Sequence, residues 1–394
     1  MASRNRVGGA FVATLLVIGA LAGCSAPDGS PTGVPASSRP VPSASATTRA
    51  TPSGEATPPP APAAEPVEPT GEPARLATGL RAPWSIVFAG DSALISERDT
   101  ARVLERTAPG EIRAVGEVPG VVPGGEGGLL GLAVWEDAGT TWLYAYTTTA
   151  SDNRIVRMPL TGAPGSFGLG PQEVLLEGIA KAGNHNGGRL AFGPDGALWA
   201  TAGDAGRPER AQDPESLNGK ILRMTPDGGP AAGNPFAGSV VYSLGHRNPQ
   251  GITWDASGQA WAAEFGQDTW DEMNRLSPGA NYGWPVVEGV GGREGFVDPV
   301  YQWPTSEASP SGLAFTGGTF FLAALRGQRL WTFHGEGQAD AREWFAGEFG
   351  RIRDVAVSPA GTLWMVTSNT DRPRATDPDD DLLLEVRLAP VSAG

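Results

Sequence analysis

Residues 182–190, AGNHNGGRL, combine side chains that could handle a proton beside a flat ligand. His185 is one of three histidines in the chain, and an imidazole can accept a proton near neutral pH. Gly187 and Gly188 carry no Cβ, so the backbone could approach a ligand closely there. Taken alone, the stretch fits an ordinary turn histidine better. The interpretation of His185 as a general base depends on the rest of the chain.

A second polar stretch, residues 243–251 (SLGHRNPQG), supplies more hydrogen-bond donors than a structural turn requires. Arg247 could clamp an anion or polarise a carbonyl group. His246 is better explained as a structural residue that ties neighbouring parts of the fold together. Arg247 is therefore the candidate for chemistry in this stretch.

Two further stretches carry charge. Residues 264–276 (EFGQDTWDEMNRL) place four carboxylates in a glycine-containing loop, and calcium accepts such oxygen ligands together with backbone carbonyls. The spacing is not that of an EF-hand, and acidic loops are often only solvated. Arg351 and Arg353 alternate along a strand within residues 350–355 (GRIRDV), so both project to one face. Paired guanidiniums at that face could bind carboxylates bidentately.

The elements that must position these residues form a repeat. An apolar strand, a tight polar turn and a second strand recur six times, beginning near Ile86, Leu132, Leu190, Ile252, Leu313 and Val355. Where the turn reads Pro-Asp-Gly, proline suits its early position and glycine supplies the positive φ of a hairpin. Hairpins every 40 to 60 residues or so, with few helical stretches, predict an all-β, six-bladed β-propeller. The alternative, a β-sandwich, would not repeat one signature. Functional residues should then come from several blades around one channel.

Composition divides the chain into three parts. Residues 1–24 have the charged start, apolar core and small residues of a secretory signal. Their last four residues, LAGC, resemble a bacterial lipobox, which predicts that Cys24, the only cysteine, is lipidated and anchors an extracytoplasmic protein to the cell membrane. Residues 25–73, rich in Pro, Ala, Ser and Thr, are predicted to be a disordered tether. Residues 74–390 remain for the propeller.

The net charge of -14, with no basic run, argues against nucleic acid as a partner and against a polybasic contact with membranes. A small neutral or cationic substrate is easier to reconcile with such an acidic chain.

Seven motifs follow one another along the predicted propeller: residues 124–134 (GGEGGLLGLAV), 184–196 (NHNGGRLAFGPDG), 217–228 (LNGKILRMTPDG), 243–251, the acidic loop with NYGWP after it, 325–330 (LRGQRL) and 350–355. This ordered set resembles the glucose/sorbosone dehydrogenase family over nearly all of residues 75–390. Members of that family are soluble, PQQ-dependent aldose dehydrogenases built on a six-bladed propeller. Each motif alone is weak evidence for the family, whereas the ordered set of all seven is specific to it.

The resemblance implies PQQ and Ca²⁺ as cofactors and the oxidation of an aldose to its lactone, with electrons passed to an external acceptor. It implies that His185 takes the proton from the sugar hydroxyl and that Arg247 stabilises charge on the quinone oxygen. The other residues implied to contact the cofactor are Glu126, Asn184, Asn248, Arg326, Arg351 and Arg353. One calcium ion would be held by the backbone carbonyls of Gly266 and Gln267 and a second, structural one by Glu272 and the carbonyl of Tyr282. Some relatives carry aspartate at the position of Asn184, proline at that of Gln267 and lysine at that of Arg326.

Two other functions stay open. A non-catalytic, lipid-tethered binding module could have kept the scaffold and lost the cofactor, although it would not need His185 together with Arg351 and Arg353. A calcium-dependent lactonase on the same architecture would need a metal ringed by side chains from different blades. The acidic residues here instead cluster in one stretch of sequence.

Overall fold

The computed structural model describes residues 65–108, 111–334, 340–371 and 379–391. The predicted secretory signal, Cys24 and all but the end of the predicted tether lie outside these ranges. Within them the regular secondary structure is almost entirely β-strand, with one short helix, α1 (Glu209–Gln212). None of the helical structure described has the length and apolar character needed to cross a bilayer.

The strands form six antiparallel sheets, which are the blades of a β-propeller. From the innermost strand outward, blade 1 is β2 (Pro83–Ala89), β3 (Ser92–Glu97), β4 (Arg102–Ala108) and β5 (Glu111–Glu117). Blade 2 is β6 (Leu129–Asp137), β7 (Thr140–Thr148), β8 (Asn153–Thr161) and β10 (Glu173–Ile179), with β9 (Gly168–Leu169) paired to β8. Blade 3 is β11 (Leu190–Phe192), β12 (Leu198–Ala202), β13 (Lys220–Met224) and β14 (Val241–Leu244).

The last three blades follow the same plan. Blade 4 is β15 (Pro249–Trp254), β16 (Ala260–Glu264), β17 (Trp270–Arg275) and β18 (Tyr301–Pro304). Blade 5 is β19 (Pro310–Thr316), β20 (Thr319–Ala324), β21 (Arg329–Phe333) and β22 (Arg342–Trp344). Blade 6 is β23 (Ile352–Val357), β24 (Leu363–Thr367), β25 (Leu383–Pro390) and β1 (Val67–Ala77). Each hairpin predicted from the repeat is the inner strand pair of one blade, which confirms the six-bladed prediction.

The two ends of the propeller meet in blade 6. Strand β1 pairs antiparallel with β25, so that Val67 lies opposite Pro390 and Ala77 opposite Leu383. The prediction that the tether extends to residue 73 is therefore wrong for residues 67–73. An edge strand tolerates prolines because one side of its backbone does not pair with another strand, which is why a segment reading VEPTGEPARLA can still join the sheet.

The innermost strands contact one another in a closed ring, in the order β2, β6, β11, β15, β19, β23 and back to β2. Apolar side chains fill the space between neighbouring blades. Between blades 4 and 5, for example, the buried aromatic rings of Trp261, Tyr301, Trp303, Phe320 and Phe333 pack together. Such packing makes the ring rigid, so the loops at its end hold fixed positions.

Candidate active site

A cavity of about 500 Å³ opens at the end of the channel where the innermost strands begin. Blade 1 contributes Trp84 and Arg98 to its wall. Eight of the twelve predicted catalytic, cofactor and metal residues line this cavity: Glu126, His185, Arg247, Gly266, Gln267, Arg326, Arg351 and Arg353. They lie in or beside blades 2 to 6, as the propeller prediction required.

His185 stands in the loop before β11, and two carboxylates fix it. Its backbone, at φ 56°, donates its N–H to Glu126 Oε2 at 2.8 Å. Its ring nitrogen Nδ1 lies 2.8 Å from Oδ1 of Asp204, whose side chain is fully buried. Since a carboxylate accepts hydrogen bonds, Nδ1 carries the proton and the lone pair of Nε2 is left for a substrate. Nε2 is thus the ring nitrogen of His185 that could accept a proton from a ligand.

Asp204 is in turn held by the indole of Trp284, whose Nε1–H donates to Asp204 Oδ2 at 2.9 Å. The N–H of Gly206 donates to the other carboxylate oxygen at 2.7 Å. These donors fix the orientation of the carboxylate and, through it, that of the imidazole. Asp204 was not among the predicted residues, because it lies 19 residues beyond His185 in sequence and meets it only when β11 and β12 fold back on each other.

The glycines after His185 serve packing against neighbouring strands. A Cβ on Gly187 would lie 2.6 Å from the carbonyl oxygen of Thr201, and one on Gly188 would lie 2.6 Å from the side chain of Leu130. The structure therefore explains Gly187 and Gly188 by the close approach of their backbone to blades 2 and 3, rather than by room for a ligand. The side chain of Asn248 secures the same turn, because its Oδ1 accepts the N–H of Gly187 at 3.0 Å.

Arginines dominate the charge of the cavity, with five guanidiniums in its wall: Arg98, Arg247, Arg326, Arg351 and Arg353. Arg353 and Arg351 both reach Asp371, at 3.2 and 3.4 Å. Burial opposes ionisation of Asp371, but the nearby charges of Arg353, Arg351 and Arg98 outweigh it and lower the pKa of that carboxyl. Burial likewise lowers the pKa of Arg353 to about 10. Asp371, a residue the sequence did not single out, thus neutralises part of the arginine cluster.

Arg247 lines the same cavity as His185. Its backbone N–H donates to Glu264 Oε2 at 2.8 Å, and its guanidinium lies 5.4 Å from the ring centre of Trp284, the indole that also holds Asp204. Burial lowers the pKa of Arg247. Its Nε atom is buried and has no hydrogen-bond partner in the protein. Trp284 thus contacts both Arg247 and the carboxylate that holds the imidazole of His185.

The acidic stretch folds differently from the single loop that the sequence suggested. Glu264 ends β16, and Asp271 and Glu272 belong to β17, so the loop between these strands keeps only Asp268. Among the described residues no group of three or more His, Cys, Asp or Glu side chains is arranged to hold a metal ion. Gly266 and Gln267, whose carbonyls are predicted to hold a catalytic calcium ion, do line the cavity.

Glu272 and Tyr282, the predicted ligands of a structural calcium, lie outside the cavity wall. The Nδ2 group of Asn274 donates to Glu264 Oε1 at 2.9 Å and to Glu272 Oε2 at 3.2 Å, so two buried carboxylates share one donor. Burial, and next the charge of Glu264, raise the pKa of Glu272 to about 8. A cation near this pair would favour its ionised form.

His246 is fully buried, with one ring nitrogen 2.8 Å from Glu264 Oε1 and the other 2.8 Å from Ser243 Oγ. Its prediction as a structural residue is confirmed. Asn184 is exposed, and Asn248 is fully buried behind the loop of His185, so neither belongs to the cavity wall. Their direct contact with a cofactor stays a prediction.

The side chains of the cavity suit a ligand that carries carboxylates and carbonyl groups. Beside Arg247 Nε, one other buried donor of a cavity-lining residue, Arg353 Nε, has no hydrogen-bond partner in the protein. Buried donors without acceptors are costly, so a ligand with several acceptor oxygens would satisfy them. Guanidiniums also bind carboxylates in a planar, bidentate manner. The residues present thus suit PQQ, a planar quinone with three carboxyl groups.

Comparison with known proteins gives three findings that bear on this site. The family model for glucose/sorbosone dehydrogenases matches residues 80–374. A solved structure of the PQQ-bound form of aldose sugar dehydrogenase from Streptomyces coelicolor is 50% identical, with a TM-score of 0.77 over 83% of this chain and 99% of that chain. Aldose sugar dehydrogenase from Escherichia coli strain K12 is 28% identical over 73% of this chain and 87% of its own length.

Quinoprotein glucose dehydrogenase B from Acinetobacter calcoaceticus is 31% identical to this chain over 263 residues. The match spans 58% of this chain and 55% of the length of that protein. The matched part is thus little more than half of the length of that relative.

Proposed function

This chain belongs to the glucose/sorbosone dehydrogenase family, and from that premise we propose that it oxidises aldose sugars to lactones with PQQ as its cofactor. The observation that carries the proposal is the pairing of His185 with buried Asp204 at a cavity walled by five arginines. A base and an anion-binding wall at one opening are what this reaction requires from the protein. The PQQ-bound structure at 50% identity supports the cofactor.

The residues divide the work between binding and proton transfer. Arg351, Arg353 and Arg326 would hold the carboxylates of the cofactor, and Glu126 would keep the backbone of His185 in place. Nε2 of His185 would take the proton of the anomeric hydroxyl, while Asp204 stabilises the imidazolium that results. Arg247 would donate to an oxygen that gains negative charge. Bound PQQ would supply the electron-accepting quinone, and calcium would act on it as a Lewis acid.

The calcium sites are part of the proposal. The cavity carbonyls of Gly266 and Gln267 would serve the catalytic ion, and the buried pair of Glu264 and Glu272 supports a structural ion next to Tyr282. Electrons would leave to an external acceptor. The lipobox at Cys24 supports an extracytoplasmic, lipid-anchored location.

The test is reconstitution of the purified, cofactor-free protein. We expect dye-linked oxidation of aldoses to appear when PQQ and calcium are added together. His185→Ala should bind PQQ nearly as well as the parent, because arginines on other blades hold the cofactor, while turnover falls by about two to four orders of magnitude. His334→Ala, at a histidine outside the cavity wall, is the matched control and should keep the parent rate.

The alternatives give different results in the same experiment. A binding module that has lost the cofactor would bind its ligand but show no turnover in any variant. A lactonase would open lactones without PQQ. If His185→Ala, loaded with PQQ, oxidised sugar at the parent rate, the assignment of the base would be wrong.

A further inference from the structure

One carboxylate organises the loop between β16 and β17. Oε1 of Glu288 lies 2.7 Å from the backbone nitrogen of Gln267 and 3.1 Å from each of the next three backbone nitrogens, Asp268, Thr269 and Trp270. Four consecutive N–H groups therefore donate to a single oxygen. Backbone amides that converge in this way form a concave site for an anion, and here the protein fills it with its own side chain.

The direction of these N–H groups fixes the direction of the carbonyls. In a trans peptide unit the C=O points opposite to the N–H, and the cis peptide bonds of the described chain lie elsewhere. The N–H of Gln267 shares its peptide unit with the carbonyl of Gly266, and the N–H of Asp268 shares its unit with the carbonyl of Gln267. Because Glu288 draws both N–H groups to one side, both carbonyls are directed to the other side. Gly266 and Gln267 line the cavity and Glu288 does not.

The start of the loop is fixed separately. The N–H of Gly266 donates to Asp271 Oδ1 at 2.9 Å, and the other oxygen of Asp271 accepts the N–H of Ser309 in blade 5 at 2.5 Å. A Cβ on Gly266 would lie 1.7 Å from the carbonyl oxygen of Trp270, so the loop closes too tightly for any side chain there. Asp271 lines the cavity, whereas Glu288 acts from outside it. A change at Glu288 can therefore alter the carbonyls without touching the cavity wall.

We propose that Glu288 is a positioning residue for a cation: it orients the carbonyl oxygens of Gly266 and Gln267 toward the cavity and makes no contact with the ion itself. Its negative charge, hydrogen-bonded to the same peptide units, also polarises them and makes the two oxygens better ligands. The inference rests on the proposed function for the presence of calcium in the cavity. It adds Glu288 as the residue that orients two backbone carbonyls so that they can bind a cation.

The experiment measures calcium binding and backbone protection in the full chain. With PQQ present at saturation, Glu288→Ala should raise the Kd for calcium by about 10- to 100-fold, the usual effect of losing a residue that orients metal ligands. Glu288→Gln keeps an accepting oxygen and loses the charge, so its Kd should fall between those of the parent and the alanine variant. Glu294→Ala, which removes an exposed carboxylate six residues away, should leave the Kd unchanged.

Hydrogen exchange provides the readout that a general loss of stability would not reproduce. In calcium-free protein, Glu288→Ala should speed exchange of the amides of residues 267–270 while the amides of the neighbouring strands keep their protection. Equal calcium Kd values and equal exchange in the parent and Glu288→Ala would overturn the inference and leave the proposed function standing. If the parent itself bound no calcium with PQQ present, both the calcium of the proposed function and this inference would fall. Should the alanine variant not fold, the glutamine variant decides by the same two measurements.

Discussion

Removing residues 1–73 should destabilise the propeller, whereas removing residues 1–64 should leave its stability unchanged. The shorter deletion stops before β1. The longer deletion removes the part of β1 in which residues 67–70 lie opposite residues 387–390 of β25. It also removes the link to blade 5, where the backbone N–H of Val67 donates to Thr319 Oγ1 at 2.9 Å.

The size of the effect follows from what is lost. About three or four hydrogen bonds contribute roughly 1 kcal/mol each, and withdrawing the partly buried side chain of Val67 from the core of blade 6 costs about 1 kcal/mol more. The sum is about 4 to 5 kcal/mol, a large part of the roughly 5 to 15 kcal/mol that stabilises a typical folded protein. For a domain of roughly 300 residues each kcal/mol shifts the melting temperature by about 1.5 °C, so a decrease of about 6 to 8 °C is expected.

The assay is thermal unfolding of the full chain and of both deletion variants, followed by circular dichroism. The longer deletion should also aggregate more readily, because it leaves most of β25 as an unprotected edge strand. If both deletions melted at the temperature of the full chain, pairing of β1 with β25 would contribute nothing to stability. A tether reaching residue 73, as the sequence suggested, would then be the better description.

Three other predictions concern the cavity. Arg351→Ala should weaken PQQ binding by about 1.5 to 3 kcal/mol, roughly tenfold to a hundredfold in Kd, with activity recovering at saturating PQQ; an unchanged Kd in a cofactor titration would contradict its role. Asp204→Asn should lower kcat strongly at unchanged PQQ affinity, because an amide no longer holds the proton on Nδ1 of His185; a parent-like kcat would show that the carboxylate does not orient the base. Chelation of calcium should abolish turnover and lower the Tm of the PQQ-loaded protein. The free energy of unfolding should fall by about 2.7 kcal/mol if calcium had been present at about a hundred times its Kd, and magnesium should restore little activity. Full activity after chelation would exclude a role for the metal.

The fold was predictable because each inner hairpin carries the same local signal, an apolar strand, a turn with Gly or Pro, and a second apolar strand. Strand β1 gave no such signal. Its segment VEPTGEPARLA has prolines and polar residues, and its burial alternates irregularly because it packs on one side only. What makes it a strand is the free edge of β25, more than 300 residues later, and a local pattern does not contain that partner.

The residues that line the cavity were predictable where one short motif carries several polar side chains, as at His185, Arg247 and the arginine pair before and within β23. The site was not predictable where one side chain acts on another across the fold. Asp204, Asp371 and Glu288 each lie in short stretches that carry no motif of their own. Each obtains its role from donors that another segment brings to it. The glycines after His185 show the converse error, because a motif that suggests ligand approach can be required by packing alone.

The contrast between the charge of the cavity and that of the whole chain has a kinetic consequence. The chain carries a net charge of -14, yet the cavity wall holds five guanidiniums and three carboxylates, those of Glu126, Asp271 and Asp371. Charges separated by more than about 8 Å are largely screened at physiological ionic strength. The acidic surface therefore repels a diffusing anion weakly at physiological ionic strength and strongly in dilute buffer. An anion that has entered the cavity contacts the arginines directly. Added salt should therefore speed the entry of an anionic cofactor by screening long-range repulsion, while it also speeds release by weakening the contacts in the cavity.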